Sequence, residues 1–329
     1  MVNLFAMFLL TLLMITAIAI VRTKDLFVAV MLTGIFSLLM SAIFFILDAA
    51  DVALTEAAIG AGITTVLFLG ALALTADRER LVPSSRWLPG IVVAITTLIV
   101  IYATFDKPRL GDPLAPVHQH VAPWYLEMTP ELIGIPNVVT AVLGSFRGYD
   151  TMGELIVIFT ACIGVLFLLG GTNGKGIQPR SNESEALDVT LSHHVIPRVV
   201  GRLLIPFIVL FGLYVQFHGE FGPGGGFQAG SIIAAGIILY SLLEGEQLAF
   251  AAMPRWTLMA MAAGGAILYG MVGIAGIVMG GNFLDYSVLT SDPVLGQQIG
   301  ILVIEAGVGI TVCGSLLAIF HAINARVRG

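Results

Sequence analysis

A helix needs about 20 mostly apolar residues to cross the hydrocarbon layer of a bilayer, and this sequence supplies such stretches nine times. They run approximately Val2–Val21, Leu26–Leu47, Val52–Thr75, Leu88–Phe105, Thr151–Leu169, Leu203–Phe217, Phe227–Leu243, Trp256–Gly280 and Ile299–Ile323. The sixth is short by this measure and is expected to begin nearer Val199, with Arg202 snorkelling to the interface. Hydrophobic types make up 57% of the 329 residues and charged types 11%, against roughly 25% charged in an ordinary soluble domain. The expected fold class is therefore all-α, a polytopic transmembrane protein of nine spans. A net charge of −6 and the lack of a long basic run argue against a nucleic-acid partner. The first span reads as retained rather than cleaved, because Arg22 and Lys24 follow the apolar run and no basic region precedes it.

Orientation follows from where the 15 Lys and Arg residues fall, since short cytoplasmic loops hold most of them. With the amino terminus outside, the inner segments hold Arg22, Lys24, Arg78, Arg80, Arg86, Lys175, Arg180, Arg198, Arg202, Arg255, Arg326 and Arg328, and the outer segments only Lys107, Arg109 and Arg147. That distribution places the carboxyl terminus inside. Two polar stretches punctuate the chain. Asp106 to about Pro136 reads as an outer loop on the membrane, with Trp124 and Tyr125 at headgroup level. Gly171 to about Pro197, rich in Gly, Ser, Asn and Glu, reads as an inner linker. Val138–Phe146 is apolar but too short to cross, and is expected to be a partial or interfacial helix ending at Arg147-Gly148. The expected organisation is a three-span module over 1–85, a two-span module over 86–178, a linker over 179–198 and a four-span module over 199–329. The many glycines inside spans, such as Gly265, Gly273 and Gly276, suit close helix packing in lipid.

Three carboxylates fall within spans: Glu56, Glu154 and Glu305. An ionisable group at bilayer depth is costly and faces protein or water, so each is a candidate for ion translocation. All three sit in the outer half of helices running inward, about 6, 5 and 9 Å below the helix start at 1.5 Å per residue. A row of outward-side acids attracts cations or shuttles protons. For Glu154 an alternative stands beside this, because Thr151-Met-Gly-Glu154 has the spacing of a capping box. Glu56 precedes the small residues Ala57, Ala58, Gly60, Ala61 and Gly62, which leave room for water or another helix. No Lys or Arg lies in the core of any span, whereas a complete proton-pumping half-channel is expected to use a buried Lys; the chain carries part of an ion path.

The most unusual local sequence is His218-Gly-Glu220-Phe-Gly-Pro223-Gly224-Gly225-Gly226-Phe227, an outer turn. It lacks the Gly-Lys-Ser/Thr of a phosphate loop. Pro223 is expected to stop the preceding helix, the glycines to permit tight irregular backbone, and His218 and Glu220 to line a cavity or to rest at the interface. Cys162 and Cys313 have no cluster spacing, and His118 and His120 lack further ligands, so no metal site or cofactor is expected.

These segments resemble a known family. Asp51-Val-Ala-Leu-Thr55-Glu56-Ala-Ala-Ile-Gly60-Ala-Gly62 with Thr64-Thr65 resembles the three-span module at the carboxyl-terminal end of the large subunit of Mrp-type multisubunit sodium/proton antiporters, also found in membrane-bound hydrogenases. Tyr125-Leu-Glu-Met, Asn137-Val-Val-Thr140 and Phe146-Arg147-Gly-Tyr-Asp150-Thr-Met-Gly-Glu154 resemble the small module that follows it. His218 through Gly230 is similar to the signature of the Mrp B subunit. Ala50 stands in place of a proline and Ser145 in place of an acid in those patterns. The resemblance implies a fused B-type subunit in the cytoplasmic membrane, partnered by other antiporter subunits, with sodium and protons as cargo. It implies Glu56, Glu305 and Glu154 on the path, supported by Asp51, Thr55, Arg147, Asp150, His218, Glu220 and Pro223 through Gly226. An alternative is the membrane arm of an ion-pumping oxidoreductase whose redox centres lie in other chains.

Overall fold

A computed structural model describes residues 2–75, 78–79, 87–109, 111–170 and 195–328. Nine helices among them are long and apolar enough to cross a membrane. They are α1 (Val2–Arg22), α2 (Leu26–Ile46), α3 (Ala50–Leu72), α4 (Trp87–Thr104), α8 (Gly148–Gly170), α9 (Val195–His218), α10 (Gly226–Glu244), α12 (Arg255–Val278) and α13 (Pro293–Arg328). Shorter helices fill the connections: α5 (Pro116–Gln119), α6 (Val121–Leu132), α7 (Val138–Ala141) and α11 (Glu246–Ala252). Arg80, Arg86, Lys175, Arg180, His193, His194 and most of the expected linker lie outside the described residues.

Three expectations change at the helix ends. α9 begins at Val195, earlier than Val199, because Pro197 sits in the first turn, where a missing amide costs nothing. It ends at His218 rather than at Pro223, which stands in the middle of the following loop. α8 begins at Gly148, so Thr151 is inside the helix and is no N-cap; its hydroxyl donates to the Leu143 carbonyl at 2.8 Å, and the capping-box reading of Glu154 falls. The early start follows from the preceding turn: Val142–Phe146 winds as a π-helix that runs into Arg147, and Arg147 pairs with Asp150 at 2.6 Å. The expected partial helix over Val138–Phe146 is thus present as α7 and this π turn.

α13 is the axis of the carboxyl-terminal region. A Cβ on Gly226 or Gly230 of α10 would collide with the carbonyl of Glu305 or Gly309 respectively. On the other side of α13, a Cβ on Gly265 of α12 would collide with the Gly307 carbonyl, and one on Gly314 would stand 2.7 Å from the Ala262 nitrogen. Backbones meet there because glycine removes the side chain, the usual route to tight helix contacts in lipid. Thr311 adds a hydroxyl bond to the Ala262 carbonyl at 3.1 Å. Two buried clusters flank this axis. One, toward the loop end, gathers Ile133, Leu155, Tyr269, Tyr286, Ile301 and Ile304; the other gathers Ile63, Cys162, Ile238, Leu258, Cys313 and Leu317.

α3 contains a π-helical stretch, Glu56–Ile63, between two α-helical segments. It packs on α2, where Ser41 donates to the Ala53 carbonyl at 2.7 Å. Lys24 and Glu79 meet at the opposite end through a 3.1 Å backbone bond. α4 is exposed at every residue.

Candidate functional site

The loop Gly219–Gly225 joins α9 to α10 and is tied to three other parts of the chain. Asn137 does the most. Its side-chain oxygen caps α7, accepting from Val139 N at 3.0 Å, while its amide donates to the carbonyls of Gly219 and Gly222, both at 2.9 Å. Its backbone N–H donates to the Glu220 carbonyl at 3.0 Å, and Thr140 donates its hydroxyl to Gly219 at 2.6 Å. From α3, the Asp51 carboxylate accepts from Gly224 N at 3.1 Å, and the Asp51 carbonyl accepts from Gln228 at 3.4 Å. From α13, the Glu305 carboxylate accepts from Gly226 N, the first amide of α10. Irregular backbone near a membrane must have its polar groups satisfied by protein, and here side chains from three distant segments do so.

The glycines are required by this arrangement. Gly225 has φ +129, a conformation L side chains rarely adopt, and a Cβ there would stand 2.8 Å from Glu305 Oε2. Gly224, Gly225 and Gly226 are buried, while Pro223 is exposed. His218 stacks on Tyr214 with ring centroids 4.9 Å apart. Burial pushes the Glu220 carboxyl above the ordinary carboxylate range.

Glu305 lies twelve residues into α13, about 18 Å from its start at 1.5 Å per residue, deeper than the 9 Å expected from a helix start at Ile299. Its carboxylate meets the amino terminus of α10, where the helix dipole favours negative charge. Asp51 and Glu220 lie within electrostatic range of it. One turn further along α13, Gly309 faces the Gln216 side-chain oxygen, and Gln216 Nε2 is buried without a hydrogen-bond partner among the described residues.

The three span glutamates occupy three different surroundings. Glu305 is at the loop. Glu56 opens the π stretch and folds over Gly60: a Cβ on Gly60 would stand 2.5 Å from Glu56 Oε1 and 2.8 Å from Ser37 Oγ. Glu154 is exposed on α8. Thr55 donates within its own helix to the Asp51 carbonyl at 2.9 Å. Arg147 and Asp150 pair with each other. Of the residues singled out by sequence, Asp51, Glu220, Gly224, Gly225, Gly226 and Glu305 are therefore drawn together, and Glu56 and Glu154 stand apart from them.

Two sets of anchors are not singled out as site residues by sequence. Asn137 and Thr140 are visible there only as part of a family pattern, although an Asn directly before Val-Val-Thr is a recognisable helix start. Tyr269 and Tyr286 carry no such signal. Both are fully buried, and they donate to the carbonyls of Gly148 at 2.8 Å and Gly144 at 3.1 Å, holding the turn that starts α8.

Three family models match the chain in succession. The MbhD model, for the D subunit of MBH, covers residues 11–77; the MbhE model, for the E subunit of MBH, covers 91–173; and the MnhB model, "Domain related to MnhB subunit of Na+/H+ antiporter", covers 196–318. A probable fused A/B subunit of a K(+)/H(+) antiporter from Rhizobium meliloti is 25% identical over 61% of this chain and 22% of its own. The A subunit of a Na(+)/H(+) antiporter from Alkalihalophilus pseudofirmus is 29% identical over 43% of this chain and 17% of its own. An uncharacterized protein of Methanocaldococcus jannaschii is 30% identical over 51% of this chain and 66% of its own. The chain thus spans about a fifth of the named antiporter subunits and just under two thirds of the archaeal protein. Among solved structures, the Mrp complex from Dietzia sp. matches with a TM-score of 0.75 and 28% identity, over 96% of this chain and 34% of that one. An archaeal respiratory membrane complex, the membrane-bound sulfane sulfur reductase, matches with a TM-score of 0.51 and 29% identity, over 71% of this chain and 97% of that one. With its modules in this order on one backbone, the chain belongs to the Mrp-type antiporter subunits, as a B-type subunit joined to modules of the kind found at the carboxyl-terminal end of the Mrp large subunit.

Proposed function

We propose that this chain is a multi-pass cell-membrane subunit of a hetero-oligomeric cation/proton antiporter, with sodium and protons as cargo and no cofactor of its own. The observation that carries the reading is the Glu305 carboxylate held on the first amide of α10, with Asp51 bound to the same glycine loop. The match to the Mrp complex along nearly the whole chain supports it. In this reading the loop end faces outward and the arginine-rich end faces the cytoplasm, as the basic residues favour. Cations arriving from outside meet Asp51, Glu220 and Glu305. Glu56 lies five residues along α3 from Asp51, about 7.5 Å at the helical rise, and offers the next carboxylate. The unpartnered amide of Gln216, beside Gly309, suits water along the same route. Thr55, His218, Arg147 and Asp150 support this end of the bundle, and Glu154, exposed on α8, meets a neighbouring subunit. Other subunits carry the buried lysines that move protons.

In everted vesicles containing the whole complex, Glu305→Gln or Glu56→Gln abolishes sodium-dependent pH changes while the complex still assembles. Normal exchange in both variants removes these acids from the path. A second reading, the membrane arm of an ion-pumping oxidoreductase, is favoured by one observation: the sulfane sulfur reductase chain is covered over 97% of its length. Iron, nickel or flavin copurifying with the complex decides for it.

A further inference from the structure

At the end of the bundle opposite the loop, α8, α12 and α13 splay around a cavity of about 460 Å³. That volume lies in the range of small-molecule sites, roughly 300–1,000 Å³. Leu166 and Leu169 at the end of α8 and Ala322 on α13 give it apolar walls, and Arg255, His321 and Arg326 also line it. Arg255 begins α12, and its neighbour Trp256 is 73% exposed. A Trp at a helix start beside an Arg marks the level of the lipid headgroups. A greasy slot between membrane helices with two guanidinium groups at headgroup depth has the chemistry of a lipid site rather than of a soluble ligand: the walls suit an acyl chain, and arginine forks suit a phosphodiester.

We infer that this cavity binds an anionic phospholipid, with an acyl chain against Leu166, Leu169 and Ala322 and its phosphate at Arg255 and Arg326. The occupant is anionic because both formal charges on the lining are positive. It is a lipid because the slot opens at the membrane boundary between spanning helices. The site lies away from the glycine loop and stands independently of the antiporter reading. A bound lipid there would brace the ends of three helices that belong to two different modules.

The test uses the intact complex in nanodiscs of phosphatidylcholine containing a photoactivatable phosphatidylglycerol, followed by mapping of the labelled peptides. Label is expected on the end of α8, the start of α12 and the end of α13, and unlabelled phosphatidylglycerol competes for it while phosphatidylcholine does not. The double variant Arg255→Gln, Arg326→Gln reduces labelling about tenfold, the scale set by the attraction of basic residues to anionic lipid. Ala322→Phe keeps both charges, fills the slot and reduces labelling as well. Equal labelling by a photoactivatable phosphatidylcholine overturns the inference, as does unchanged labelling in the arginine variant or a crosslink from these residues to another subunit in place of lipid. Should a variant fail to assemble, competition on the parent complex still decides between the two lipids.

Discussion

α13 and α4 are both apolar helices long enough to cross a membrane, yet they live in opposite surroundings. α13 touches α10 on one side and α12 on the other, backbone against backbone, and most of its central residues are buried. α4 is exposed along its full length. In water that contrast would mean that α4 is misplaced. In lipid it does not, because hydrocarbon is as good a solvent for Ile and Val as another helix is. What distinguishes the two is polar and glycine content: α13 carries Glu305, Thr311, Ser315 and a series of glycines, and α4 carries a few threonines and one glycine. Burial in this protein marks the places where carboxylates, hydroxyls and bare backbone need protein neighbours.

The largest effect that tests this contrast is a single methyl group. Gly226→Ala or Gly230→Ala pushes a Cβ into the backbone of α13, and neither backbone can retreat without losing its own contacts. We expect a loss of about 3 kcal/mol or more, at the upper end for overpacking, seen as failure to recover the assembled complex. Gly264→Ala, where a Cβ meets nothing within 4 Å, is expected to leave yield and thermal midpoint unchanged. Equal behaviour of the two classes would mean that the close approach of α10 and α13 does not hold the bundle.

Next comes the tie between modules. Asn137→Ala removes a helix cap and two amide bonds to the loop. A cap is worth about 1 kcal/mol and each buried bond a similar amount, so the thermal midpoint of the complex should fall by an amount corresponding to about 2–3 kcal/mol. A midpoint that stays put would show the loop to be self-supporting. Smaller again is Tyr286→Phe, which leaves the Gly144 carbonyl without its partner; about 1–2 kcal/mol is expected, with a further loss in the Tyr269→Phe, Tyr286→Phe pair.

Much of this is legible in the sequence, and the reason is local. Nine spans can be counted because apolar length alone decides whether a segment crosses a bilayer. The glycine loop stands out because Gly-Pro-Gly-Gly-Gly has no ordinary helical use. Its partners are less visible, since a hydrogen bond from Asn137 to Gly222 spans 85 positions, and nothing in either local sequence reports the other. The π stretch at Glu56–Ile63 is hidden for the same reason: its small residues are compatible with a plain α-helix, and the wider turn appears where Gly60 leaves space for Glu56 and Ser37. Glu154 misleads in one respect because Thr-x-x-Glu matches a cap in sequence, while the preceding π turn, fixed by Tyr286 from far away, starts the helix one residue after Arg147.

The smallest effect concerns Glu220, the one acid of the loop itself. Its carbonyl is fixed by Asn137, and burial raises its carboxyl above the ordinary carboxylate value near 4.5. The folded protein therefore holds this proton over a pH interval in which the unfolded chain has already lost it. Stability linked to this group is present below about pH 4.5 and falls as pH rises through the raised folded value. Glu220→Gln keeps the size and removes the ionisation. The thermal midpoint of the complex should thus be higher in the variant than in the parent near neutral pH, and the two should converge as the buffer is taken toward about pH 4. A parent and variant that stay parallel from about pH 4 to 8 would mean that Glu220 is as well solvated as any surface acid. The loop would then differ from the exposed regions in its backbone bonding alone, and the contrast between α13 and α4 would rest on glycine and on Glu305 without help from this residue.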